Sequence, residues 1–262
     1  MKAKRILFLA IPAILLSSCG PGAEITDSKE LADKTAAIAA KQKEVKNYKF
    51  TVDIDSNSYD ESEKKNANTK TKMVYEVNED GDIKLHSEGT SNGKTTTSDF
   101  YLVKDTKYEQ VLYLDNFDGK DHDISVYGYE GNELTFGFAT LYYAIPEAYL
   151  SAFSDPTDLV SSATQASDEG TVVKYYSTGD GNLTVEATVT EKSVDASEES
   201  AVSTKETIKY DNYLLKSASI EATSNKGSVS KMDFTFEAKA KFTITLPSGW
   251  ETLINKTSAE EA

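Results

Sequence analysis

Apolar and polar side chains alternate from Tyr48 onward, where Tyr48, Phe50, Val52 and Ile54 interleave with Lys49, Thr51, Asp53 and Asp55. A period of two puts one set on each face of a β-strand, one face inward and one in water. The same period recurs at Met73, Tyr75 and Val77, at Ile83 and Leu85, and over Phe100–Val103, Tyr108–Leu114 and Ile124–Tyr129. Asn78-Glu79-Asp80-Gly81 and Asn92-Gly93 supply turns, while the polar stretch from Ser56 to Asn68 reads as a loop. Connections this short leave no room for parallel crossovers, so the pattern predicts an antiparallel meander. A second set follows with Thr171–Ser177, a turn over Gly179–Asn182, and Leu183, Val185, Ala187 and Val189. Glu191–Ser200 is acidic, serine-rich and aperiodic, which reads as a solvated loop.

The longest alternation is the last one. Met232, Phe234, Phe236, Ala238, Ala240, Phe242, Ile244 and Leu246 would share a face. A straight strand of that length would run about 50 Å at roughly 3.3 Å per residue, far beyond the ~17–20 Å usual for a strand. Curvature or a break is therefore expected near Ala238 and Ala240, whose small side chains would also admit a helix or a ligand against the sheet. Two stretches depart from the β period. Asp27 reads as an N-cap with Glu30 as its capping-box partner, and Leu31, Thr35, Ile38, Gln42 and Val45 form a narrow stripe at helical steps. From Leu134 to Ala163 apolar residues again recur at helical steps, with Pro146 and Pro156 where helices could begin. Two or three short helices are expected in that aromatic segment.

Ahead of these elements, Lys2, Lys4 and Arg5 precede an apolar run from Ile6 to Leu16, which Ser17, Ser18 and Cys19 close. That is the layout of a secretory signal. The run, interrupted at Pro12, is too short for the about 20 apolar residues a membrane-spanning helix needs. Leu16-Ser17-Ser18-Cys19 resembles the signal of the bacterial lipoprotein family, and Cys19 is the only cysteine in 262 residues. The resemblance implies cleavage before Cys19, a diacylglycerol on its sulfur, and lipid anchoring at the extracytoplasmic face of a cell membrane. The chain then divides into a signal peptide (1–18), a lipidated tether (19–26), one β domain (27–254) and a polar C-terminal tail (255–262). Fully extended, the tether from Gly20 to Thr26 would reach about 25 Å at roughly 3.5 Å per residue.

Composition narrows the partners. With 39% hydrophobic and 27% charged residues the chain can bury a core. Loss of the three basic residues of the leader leaves 25 against 43 acids, a net charge of −18. Such a surface repels nucleic acid and anionic headgroups, so membrane attachment falls to the anchor. With Cys19 acylated no thiol remains for disulfides, metal ligation or nucleophilic catalysis.

The order of signal, helix, β meander, helical insertion, second meander and a terminal strand running into Ile244-Thr245-Leu246-Pro247 resembles the half-barrel lipoprotein carriers, the LolA/LolB-like and LppX-like group. The resemblance implies a mainly β (α+β) fold: a curved, open antiparallel half-barrel sheet around an N-terminal helix, capped by a short mid-chain helical insertion. It further implies a cavity for a lipid or other hydrophobic ligand, walled by Phe50, Val52, Phe234, Phe236 and Phe242 on the strands. Phe136, Phe138 and Tyr142 would form the lid.

No motif argues for catalysis, a cofactor or a metal. Gly89-Thr90-Ser91-Asn92-Gly93 has the spacing of a nucleophile elbow, but a strand follows it where that motif needs a helix. His86 and His122 fall on different strands, and in Asp121-His122-Asp123 neighbouring side chains point to opposite faces, which leaves the imidazole alone. The acidic turns lack the spacing of an EF-hand loop. The expected function is binding or carrying a hydrophobic ligand at the membrane. The alternative is a surface interaction protein with a filled core and an acidic protein-binding exterior.

Overall fold

The computed structural model of the chain describes residues 22–60, 65–91, 93–129, 171–190 and 201–255. Cys19, the aromatic segment with Phe136, Phe138 and Tyr142, the Glu191–Ser200 stretch and residues 256–262 lie outside the described residues. Thirteen strands form one sheet: β1 (Ala23–Glu24), β2 (Tyr48–Asp60), β3 (Lys65–Val77), β4 (Ile83–Ser91), β5 (Lys94–Asp105), β6 (Glu109–Phe117), β7 (His122–Tyr129), β8 (Thr171–Ser177), β9 (Leu183–Thr190), β10 (Ala201–Asp211), β11 (Leu214–Ser224), β12 (Val229–Ala238) and β13 (Ile254–Asn255). Their order is β1-β8-β9-β10-β11-β12-β2-β3-β4-β5-β6-β7-β13. All pairings are antiparallel except that of β13 with β7. The end strands β1 and β13 do not pair with each other, so the sheet is an open half-barrel and not a closed barrel. The mainly β fold with an N-terminal helix expected from the pattern is therefore the observed one.

Register puts the even residues of β2 on the inner face. Phe50 faces Tyr75 and Phe236, Val52 faces Met73 and Phe234, and the row continues through Leu85 and Phe100. Phe50, Tyr75, Phe100 and Phe234 are fully buried, each contributing about 1.5–3 kcal/mol. Phe50 and Phe234 stack with ring centroids 5.7 Å apart, and Tyr48 and Phe236 do so at 5.5 Å.

The single α-helix among the described residues, α1 (Ser28–Gln42), crosses this face. Asp27 caps it by accepting from the Lys29 and Glu30 amides at 2.8 and 3.0 Å. Leu31, Thr35, Ile38, Ala39 and Gln42 are its buried residues, which is the stripe read from the sequence with Ala39 added and without Val45, which is half-buried beyond the end of the helix. A register shift at Lys209/Tyr210 disturbs the β10–β11 ladder, and the buried Leu215 amide donates to Gln42 Oε1 at 3.0 Å. The helix thus satisfies a sheet amide beside an irregularity in the ladder. At the same end Asn78 Oδ1 accepts from the Asp80 and Asp82 amides, its Nδ2 donates to Asp82 Oδ2 at 2.9 Å, and Asp82 Oδ1 accepts from the Lys104 amide. This buried polar corner ties the β3–β4 turn to β5.

Three expectations change. The stretch Ser56–Asn68 is not simply a loop: β2 and β3 stay paired from Ser56↔Thr69 to Asp60↔Lys65. It looks like a loop in sequence because the hairpin extends beyond the core, where backbone pairing no longer requires apolar side chains. β12 does break at Ala238, but Ala238 and Ala240 are exposed, so the helix does not press on them. Beyond the break Phe242 and Ile244 leave the inner face. Together with Leu246 they line a groove over the outer-face residues Glu76, Lys84 and Tyr101, because the chain turns around the end of the sheet. There Leu246, Trp250 and Ile254 pack on Tyr108, Val111, Tyr113 and Val126, a second core that the pattern did not announce.

Candidate functional site

The inner face is graded along the strands. Next to α1 it is apolar and closed. Toward the far end of β2, on β3 to β5, it turns small and polar through Thr71, Ser87, Gly89, Thr96 and Ser98. On the β8–β3 side the apolar surface continues further, but only half-buried, as Val173, Ile220, Met232, Ile54 and Met73. Val173, Ile220, Met232 and Ile54 share a row that runs through Ala187 and Glu206, while Met73, paired with Val52, sits one row nearer α1. Met73 and Met232 are the only methionines besides Met1. Unbranched thioethers adapt to irregular partners and recur on promiscuous apolar binding surfaces.

One ionisable side chain lies in this band. Glu206 on β10 stands opposite Ile220 on one side and Ala187 on the other. Among the described residues no hydrogen bond or ion pair to its carboxylate is found, and desolvation by its apolar surroundings pushes its pKa up. Two strands away and one row nearer α1, the Tyr175 hydroxyl is buried without a hydrogen-bond partner. Burial raises its pKa as well. Ala187, Ala218 and Ala222 are the small inner-face neighbours of this region.

Of the sequence-expected ligand residues, Phe50, Val52, Phe234 and Phe236 come together, but as a closed core at 4% exposure or less. Phe242 is separated from them on the outer side. Phe136, Phe138, Tyr142 and Cys19 lie outside the described residues. Glu206 and Tyr175 were not expected. The available signal was an acid in phase with apolar partners: Glu206, Ile208 and Tyr210 alternate with Lys205, Thr207 and Lys209.

The outer face carries the charge. Lys70 pairs with Asp55 at 2.8 Å and Lys231 with Asp233 at 2.7 Å across exposed positions, where such pairs stabilise little. His86 Nδ1 meets Asp99 at 2.9 Å and His122 Nδ1 meets Asp115 at 2.8 Å. His122 thus finds its carboxylate on β6 and not at Asp121 or Asp123. Among the described residues no three His, Cys, Asp or Glu side chains converge as metal ligands. No helix among them is long and apolar enough to cross a membrane.

No protein-family model matches the chain, and no curated protein matches it.

Proposed function

We propose that this protein is a membrane-anchored extracytoplasmic lipoprotein that binds or carries a lipid or other hydrophobic ligand on the inner face of its half-barrel. The observation that carries the reading is the half-buried band of Val173, Ile220, Met232, Ile54 and Met73, which continues a closed apolar core without being closed itself. Covering such a surface with an alkyl chain gains about 0.8 kcal/mol per buried CH₂. The leader supports the anchor, since Cys19 stands where lipoprotein signals place the acylated cysteine.

The test uses the full chain carrying Cys19→Ser, in which any lipid recovered is held by the fold. Organic extraction followed by mass spectrometry is expected to recover stoichiometric lipid, and Met232→Asp to lose it. Lipid-free protein that also takes up no fluorescent fatty acid would overturn the reading. A second reading, a surface interaction protein with a filled core and an acidic exterior, is favoured by one observation: Phe50, Val52, Phe234 and Phe236 are already covered.

A further inference from the structure

We infer that Glu206 and Tyr175 form a head-group subsite selective for an amphiphile bearing a cationic amine, with its apolar tail along the methionine band. The inference rests on the hydrophobic-ligand reading and adds the chemistry of the head. Three observations converge on it. Register places Glu206 on the inner face in line with Ile220, Met232 and Ile54, so a tail crossing three strand spacings of roughly 4.8 Å from it would span about 14 Å of apolar wall. The Glu206 carboxylate has no hydrogen-bond or ion-pair partner among the described residues, although its surroundings withdraw it from water. The Tyr175 hydroxyl is buried and equally unpaired.

An unpartnered carboxylate in an apolar wall is costly in the free protein. A ligand ammonium removes that cost by supplying both countercharge and N–H donors, whereas a fatty-acid carboxylate would add like charge. The Tyr175 hydroxyl, two strands away and one row nearer α1, can donate to or accept from a polar group beside the amine. The strongly acidic molecule favours approach of a cation over that of an anion.

The experiment keeps the full chain in vesicles of neutral phosphatidylcholine. Three photoreactive dodecyl probes differ only in their heads: primary amine, alcohol and carboxylate. Labelled peptides are mapped by mass spectrometry. The amine probe is expected to label the peptides containing Met73 and Met232 at a concentration about tenfold below the alcohol, as one charge-assisted hydrogen bond would give. The carboxylate probe should label least. Glu206→Gln should bring the amine to the level of the alcohol, and Tyr175→Phe should reduce the amine preference in part. Equal labelling by amine and alcohol in the unaltered protein, or an amine preference that survives Glu206→Gln, would overturn the head-group assignment while leaving the hydrophobic reading in place. Absence of labelling on these peptides by all three probes would overturn both.

Discussion

Glu206 couples the candidate site to stability as well as to binding. Its carboxyl is pushed up by desolvation, so between the ordinary glutamate range and the raised value the folded chain binds a proton that the unfolded chain does not. Stability from this group therefore falls as pH rises through that interval. Glu206→Gln removes the titration without removing volume. The variant is expected to unfold at a higher temperature than the parent at neutral pH, with the difference shrinking toward zero as the pH drops below the ordinary glutamate range of about 4. Thermal unfolding followed across pH checks this, and a constant difference would show that desolvation is not the cause.

At the scale of elements, the C-terminal segment from Lys239 to Asn255 behaves as a strap from one face of the sheet to the other. Its start is held where the Lys239 amide donates to the Asn47 carbonyl at 2.8 Å and Lys241 pairs with Glu79. Lys241 and, after it, Asn47 hold the Glu79 carboxyl below its usual range, so this contact is present at neutral pH and is lost as acid protonates Glu79. Its end rests on Tyr108, whose ring crosses β7 because position 128 has no side chain: a Cβ on Gly128 would lie 2.6 Å from that ring and 2.9 Å from Ile254. Gly128→Ala is expected to cost about 1–3 kcal/mol by overpacking. It should lower the urea midpoint with little change in slope and alter the fluorescence of Trp250, the chain's only tryptophan. The strap also marks where sequence reasoning stops. The alternation through Leu246 was real, but period alone cannot say that Phe242 and Ile244 have changed sides, because their inner or outer placement depends on what the chain does beyond Ala238. β10 and β11 were hard to read for a different reason: their inner positions include Thr204, Glu206, Ala218 and Ala222, which blur the contrast between faces. The helix and β2 to β9 stood out where the buried face is large and apolar, and the candidate subsite did not, since binding surfaces interrupt the pattern that makes strands legible.

For the whole molecule, the proposed anchor at Cys19 makes the decisive prediction. An acidic protein gains nothing from anionic headgroups, so Cys19→Ser is expected to abolish incorporation of a fatty-acid probe and to move the protein out of the membrane fraction. A variant that still labels and remains membrane-bound would end the lipoprotein reading. Both flanks of the sheet are closed by very short pieces of chain, β1 on β8 and β13 on β7, which shields part of each edge from pairing with another molecule.

The β1 clamp has a mechanical side. Any load arriving from an anchor at Cys19 reaches the domain first at Ala23 and Glu24, two residues paired with Ser177 and Tyr176, backed by the Ile25 amide bonded to the Tyr175 carbonyl at 2.8 Å. Gly22 lies so close to Ser177 that a Cβ there would sit 2.4 Å from its carbonyl oxygen, so even an alanine would spring the joint. Peeled away, these residues would move the point of attachment to the capped start of α1 at Asp27 and lengthen the leash by about four residues, roughly 14 Å. The same motion would bare the backbone of β8 at Tyr175, the strand that carries half of the head-group subsite. On the proposed reading, tension on a tether and occupancy of the site would then act on one strand, so a molecule pulled taut and a molecule at rest would bind differently.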